Sequence, residues 1–426
     1  MSAWRWLIVL ASVVVLAACA DPRAGQPTAT PEPPTPTPDP NATATPGVAP
    51  DGRLLPVTIL RENFTESTTL TLAGSPYMLL LPIQIPEGVT VTIEPGVVVY
   101  VESGVTLSVF GVLNANQVTF RHWDVNETWQ GIALLGAVPS NLTNNRIYGA
   151  QNGIRCENSF PNLVGNDIGP VAVNGIVCFL EQPPPVNWNI SGNNIHDTGQ
   201  AGIQLWVNPA LVTSNPFQIT ANTISNTGQH GIGVGSTRWL QNEWANANLQ
   251  LLISNNSIQT SGSDGILLQF VSGVSVQRNI VSGASGNGLN LTAHSSIVGY
   301  NWFTASGQSG VVIREVRGQP IRDVVVQCNL VDQNQLYGLE IIRAEVMLRN
   351  TALTVVGNDL ANNGQYALAI RGAKLDLALP GNWWGTPDAG QVETLVLDQL
   401  DDETLPRVTV APVRAGAPVR EPGFCP

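Results

Sequence analysis

A tandem repeat constrains this chain more than any other feature. A Gly followed by an aliphatic residue recurs at Gly131, Gly153, Gly175, Gly202, Gly231, Gly265, Gly288, Gly310 and Gly338, with Ala367 as a tenth, degenerate copy. The intervals are 22, 22, 27, 29, 34, 23, 22, 28 and 29 residues. A period of this size means a solenoid, in which each repeat buries its apolar face only by stacking on its neighbours.

A second marker, Asn-x-aliphatic, lies between successive copies. It begins at Asn145, Asn166, Asn193, Asn222, Asn256 and Asn358, and loosens at Asn301 and Asn382. In two repeats the same slot is assigned to Arg278 and Cys328. The apolar runs alternate with period two, as in Ile203-Gln204-Leu205 and Leu289-Asn290-Leu291, which reads as strand. Residues 57 to 380 carry no helical stripe long enough for a crossover helix, which disfavours βαβ folds. The expected fold is all-β: a single-stranded parallel β-helix of about twelve coils, ~60 Å long at ~4.8 Å per coil. Asn suits a coil corner because it tolerates the left-handed conformation and its amide can bond to the Asn of the next coil. A Gly ahead of the inward aliphatic lets the chain bend without a Cβ clash. A leucine-rich repeat needs a different spacing and a helix per repeat, and neither is visible.

The segments Thr92-Ile93-Glu94-Pro95-Gly96-Val97 and Gly111-Val112-Leu113-Asn114-Ala115 resemble the entry coils of bacterial right-handed parallel β-helix proteins of the pectate-lyase-like fold. Gly381-Asn382-Trp383-Trp384-Gly385-Thr386-Pro387-Asp388, with Val396 to Asp398 and Pro412, resembles the terminal coil and cap of that superfamily. The resemblance spans roughly residues 57 to 413 and implies the fold, right-handed by the chirality of parallel crossovers. Pectin and alginate lyases, epimerases and glycoside hydrolases share it, so the fold alone assigns no activity.

Four segments follow: 1–18, a signal peptide; 19–52, a linker; 53–380, the β-helix; and 381–426, the terminal coil, cap and tail. The signal has Arg5, an apolar run from Leu7 to Leu16, then small residues. Leu16-Ala17-Ala18-Cys19 resembles a bacterial lipobox, which implies that Cys19 is lipidated and that the protein is exported and membrane-anchored. Ten prolines within residues 20–50 make an extended tether rather than a core. A net charge of −12 with no basic stripe argues against nucleic acid as a partner and, through long-range repulsion, against polyanionic substrates. A monomer is the expected state.

Cys156 and Cys178 occupy one slot in neighbouring repeats and form either a disulfide or two buried thiols. Cys328 and Cys425 are a second candidate pair that would clip the tail to the solenoid. None has the spacing of a metal site, and no cofactor is expected.

The longer repeats carry their extra residues at one place, near 181–188, 208–217, 236–250, 315–323 and 343–352, while the repeats from Gly265 and Gly288 carry none. In-register stacking turns this into a wall, a gap of about 10 Å at two coils, and a second wall. The first wall holds Trp188, Trp206, Phe217, Trp239 and Trp244; the gap offers Gln269, Asn290, Thr292 and His294; the far side has Arg314, Arg317, Arg322 and Arg343. Aromatic faces beside amides and hydroxyls suit a polysaccharide. The same tryptophans would serve equally to pack the insertions onto the solenoid.

For catalysis, one constellation falls into register: His230 and Asp264 precede the repeat Gly in adjacent coils, with Arg238 nearby. A lyase or epimerase needs such a base. The slot also holds Gln130, Asn152, Asn174, Ala201, Asn287, Ser309, Tyr337 and Tyr366, the mixture of a solvated row. His196-Asp197 reads as a corner hydrogen bond, and no paired carboxylates of a hydrolase are evident. Three functions stay open: a lipid-anchored module that binds a polysaccharide without turnover, a polysaccharide lyase or epimerase, and a non-catalytic structural or adhesive surface protein.

Overall fold

Each repeat folds as three short strands, and each strand pairs in parallel with its equivalent one repeat later. The computed structural model describes residues 57–417 except 125, 237–247, 316–320, 343–352 and 373–375. Strand Ile176–Leu180 lies between Ile154–Glu157 and Ile203–Val207. Trp188–Ser191 lies between Asn162–Val164 and Phe217–Thr220, and Asn194–Thr198 between Asp167–Ile168 and Thr223–Thr227. These three stacks are the first, second and third sheets of a parallel β-helix, as the repeat predicts.

Among the described residues the third sheet has 12 strands, from Thr58–Leu60 to Leu330–Asp332, and the first and second are hydrogen-bonded into one 24-stranded sheet. The 12-residue strand Ile266–Gln277 joins them by running around the corner, because its coil carries no insertion there. It bulges at Phe270 (φ 58°), where the register shifts between Gln269 and Val271, and turns at Gly273 (φ 67°), between the part paired with Leu289–His294 and the part paired with Ser296–Gly299.

Period-two alternation points one residue of each pair inward. Ile154, Ile176, Ile203, Ile232 and Ile266 are buried in line from the first sheet, and Ile168, Ile195, Ile224 and Ile258 from the third. Burying each such side chain stabilises by about 1.5–3 kcal/mol relative to exposure. The repeat glycines mark where these rows meet. A Cβ on Gly153 would stand 2.5 Å from Ile168 Cγ2, and one on Gly202 2.5 Å from Ile224 Cγ2. Close approach therefore selects Gly, as a clash-free bend requires.

The Asn marker is a buried ladder along one corner. Asn145, Asn166, Asn193, Asn222, Asn256, Asn279, Asn301, Asn329, Asn358 and Asn382 follow one another. In each step the Nδ2 donates to the next Oδ1 at 2.9–3.0 Å. At every step the backbone N–H donates to the same oxygen, as Asn256 N does to Asn279 Oδ1 at 3.0 Å. Two expectations need correction. The slot is filled by Asn279 and Asn329, not by Arg278 and Cys328. The left-handed residue is also not the ladder Asn but the one before it: Asn144, Ala221, Asn255, Arg278, Tyr300 and Cys328 have φ of 54–62°, and Gly165, Gly192, Gly357 and Gly381 share the position. Asn is selected here for its two-ended amide alone.

Asn382 ends the ladder, and Trp384 beside it is buried. The short helix Ala389–Glu393 follows, capped by Asp388, whose carboxylate accepts from Gly390 N and Gln391 N. Val396–Leu397 then pairs with the first-sheet strand Tyr366–Arg371, so stacking continues past residue 381. Among the described residues no helix is long and apolar enough to cross a membrane.

Cys156 and Cys178 pair in register on adjacent first-sheet strands and are free, fully buried thiols. Burial, with the neighbouring Cys156, pushes the Cys178 thiol well up. That pair is not a disulfide. Cys328 is disulfide-bonded. Cys19 and Cys425 lie outside the described residues.

Candidate functional site

All five insertions interrupt the chain at one corner, between a first-sheet strand and the second-sheet strand that follows. Residues 181–187 separate Ile176–Leu180 from Trp188–Ser191, and 208–216 separate Ile203–Val207 from Phe217–Thr220. Segments 237–247, 316–320 and 343–352 fall at the same point of later coils but lie outside the described residues, and with them Arg238, Trp239, Trp244, Arg317 and Arg343. Between the two groups the coils of Gly265 and Gly288 round the corner without insertion.

The aromatic wall is smaller than expected. Trp188 is 3% exposed and Phe217 1% exposed. Each begins a second-sheet strand with its side chain inward, and their rings stack 5.9 Å apart. Phe160 meets Trp188 edge-on at 5.5 Å, and the indole Nε1 donates to Pro161 O at 2.8 Å. These two rings are core. Trp206 points outward and stays half-buried on the first sheet.

Beside Trp206 lies a recess of about 290 Å³, at the small end of ligand-pocket sizes. Gly233 and Gly235 face outward on one coil: the Gln204 side chain covers Gly233, and the Gly235 backbone lines the recess. A Cβ on Gly235 would stand 3.3 Å from the Trp206 ring. Trp206 and Gln204 stand on the preceding coil, Leu267 and Gln269 on the next, and Asn290 one further. Gln229, His230 and Asp264 close the edge. Trp206, Gln269 and Asn290 were expected here from sequence; Gln204, Gln229 and Gly235 were not. An outward glycine within a strand, Gly235 in Ile232-Gly233-Val234-Gly235, was the available signal.

His230 and Asp264 are neighbours, as register predicts: Gly231 N donates to Asp264 O at 3.3 Å. Their row is only partly solvated. Gln130 is exposed and Asn152, His230, Tyr337 and Tyr366 are half-buried, whereas Asn174, Asp264, Asn287 and Ser309 are buried where side chains bond along the row. Asn152 Oδ1 accepts from Asn174 Nδ2 at 3.0 Å. Asp264 Oδ1 accepts from Asn287 N at 2.9 Å and Asn287 Nδ2 at 2.8 Å. Asp264 Oδ2 accepts from Asn290 Nδ2 at 3.1 Å. His230 Nδ1 is buried with no hydrogen-bond partner among the described residues. Burial lowers the His230 pKa despite the opposing pull of Asp264, which favours a neutral imidazole.

The remaining candidates sit apart from the recess. His294 is half-buried at the next corner, its pKa lowered by burial and by Arg322. Arg314 is exposed and Arg322 lies 4.0 Å from Asp323. Towards the C-terminus the first-sheet face closes. Val312 and Glu340 point outward yet are buried, Glu340 is paired with Arg371, and Ser309 Oγ donates to its Oε2 at 2.9 Å. His196, on the third sheet, bonds Asp197 at 2.8 Å as expected and also lies 3.3 Å from Asp167. Tyr148 OH donates to Asp167 Oδ2 at 2.5 Å. Among the described residues no cluster has the ligand set of a metal site.

The family described as "Right handed beta helix region" matches residues 83–217 and 210–382, more than half of the chain. No curated protein matches. Among solved structures, a mutant of the periplasmic alginate epimerase AlgG aligns with TM-score 0.50 and 13% identity, over 77% of each chain. The catalytic unit of a GH87 alpha-1,3-glucanase from Streptomyces thermodiastaticus aligns with TM-score 0.49 and 14% identity, over 80% of this chain and 61% of that one.

Proposed function

The chain belongs to the right-handed beta-helix family, and we propose that it holds a polysaccharide in the recess beside Trp206 without turning it over. The observation that carries this is the lining. The Trp206 ring, the Gly235 backbone and the amides of Gln204, Gln229, Gln269 and Asn290 converge on about 290 Å³. An aromatic face covers the apolar side of a sugar ring, and amides donate to and accept from its hydroxyls. At 13% identity the likeness to the epimerase carries the fold and not its chemistry.

A glycan array tests this. Binding by the wild type that survives His230→Ala and falls at least tenfold with Trp206→Ala supports a binding module. No glycan bound by the wild type refutes it and leaves a structural or adhesive protein. A lyase or epimerase is the second reading, favoured by the unpartnered Nδ1 of His230, a neutral imidazole suited to general-base work. Unsaturated-uronate absorbance for a lyase, or inversion at C5 read by NMR for an epimerase, that disappears with His230→Ala would establish it. We further propose export and lipid anchoring through Cys19, in the Leu16-Ala17-Ala18-Cys19 segment. Metabolic labelling with a fatty-acid analogue should be lost in Cys19→Ser, and labelling that persists would refute the anchor.

A further inference from the structure

We infer that Asp264 is a charge-selecting residue of the recess, which admits glycan units bearing hydroxyl or amino groups and rejects uronates. The inference rests on the polysaccharide-binding proposal and sharpens it. Its starting point is the row of residues that precede the repeat glycines. In this row a side-chain oxygen accepts from the next coil, and Asn performs that task unaided. Asn152 Oδ1 accepts from Asn174 N at 3.3 Å and Nδ2 at 3.0 Å. Asn174 Oδ1 accepts from Ala201 N at 3.1 Å, and Asn287 Oδ1 from Ser309 N at 3.1 Å.

Asp264 makes the same bonds to Asn287 through Oδ1 alone. Stacking therefore explains an acceptor at this position but not a carboxylate. The surplus oxygen, Oδ2, meets Asn290 Nδ2, and both residues line the recess. Three donated hydrogen bonds hold the carboxylate in place without neutralising it. None of the described residues lining the recess is Lys or Arg. Inside such a partly buried site a fixed anion attracts ammonium groups, accepts from hydroxyls and repels a second carboxylate.

The test is an array of neutral, amino-sugar and uronate oligosaccharides of matched length, read with the full chain and with Asp264→Asn. An Asn at this position retains the Oδ1 acceptor, as Asn152 does, and a flip of the half-buried Asn290 amide turns its oxygen to the new Nδ2, so the variant is expected to unfold close to the wild-type midpoint. The wild type should bind neutral or amino-sugar members at least tenfold more tightly than uronates, and Asp264→Asn should shrink that ratio below about threefold. Tightest binding to uronates, or a ratio unchanged in Asp264→Asn, overturns the inference and leaves the glycan-binding proposal standing. An array on which nothing binds overturns both. Should the variant unfold early, the wild-type preference among the three classes still decides.

Discussion

Replacing Asn256 by Ala should be among the most destabilising single changes available outside the aliphatic core. Its Oδ1 accepts from Asn222 N at 3.0 Å and Asn222 Nδ2 at 2.9 Å. Its Nδ2 donates to Ile219 O at 2.9 Å and Asn279 Oδ1 at 2.9 Å. Truncation removes all four bonds. Asn279 Oδ1 keeps the backbone N–H of residue 256, and Asn222 Nδ2 keeps Ile190 O. Asn222 N is left stranded in a corner where the ladder residues are 0–2% exposed, whereas Ile219 O keeps the strand pairing of Thr220 with Ser254. At about 1–3 kcal/mol for an unsatisfied buried group, the loss is about 1–3 kcal/mol. Asn256→Asp should be no better, because it turns an oxygen towards two acceptors. The control is Asn141→Ala, an exposed residue with one bond to Asn114 Oδ1 at 2.9 Å, expected within ~0.5 kcal/mol of wild type. Paired guanidinium melts followed by circular dichroism measure both. A loss under ~1 kcal/mol for Asn256→Ala, or one matching the control, would refute the ladder as a source of stability.

The two tryptophans should separate by role: Trp188→Ala should lose about 3–5 kcal/mol of stability in the same melts, whereas Trp206→Ala should leave the midpoint nearly unchanged and weaken glycan binding. Gly231→Ala would drive a Cβ onto Ile258 Cγ2 and should destabilise by about 1–3 kcal/mol, while Gly416→Ala, with open space around it, should be neutral. The folded-state pKa of His230 lies below its unfolded value, so the unfolded chain binds the extra proton first. Stability should therefore be full above about pH 6.5 and decline as pH falls through and below it. His294, shifted the same way, should add to the decline. His230→Gln should flatten part of this slope, and an unchanged pH profile of unfolding would count against a neutral buried imidazole.

The local repeat made the architecture legible. Equivalent residues of a solenoid meet the same surroundings, so the Gly-aliphatic pairs and the Asn marker announce in-register stacking without knowledge of anything distant. The same logic placed His230 beside Asp264 and Cys156 beside Cys178. It failed by one residue at Asn279 and Asn329. The left-handed position before each ladder Asn accepts Gly, Asn, Ala, Arg, Tyr or Cys, and so has no signature from which to count.

What the sequence determined, then, was coil number, corner chemistry and the flank from which insertions leave. Tertiary structure decided which side chains at that flank face solvent. Successive strand residues point to opposite sides, so the point at which an insertion rejoins its strand settles the matter, and a one-residue shift reverses it. Trp188 rejoins facing inward and becomes core, while Trp206, continuing an unbroken strand, faces out. Only the folded chain shows that Gly235 opens a recess beside it, and that burial leaves one nitrogen of His230 unpaired at its edge. Both follow from contacts between coils, which no single repeat encodes.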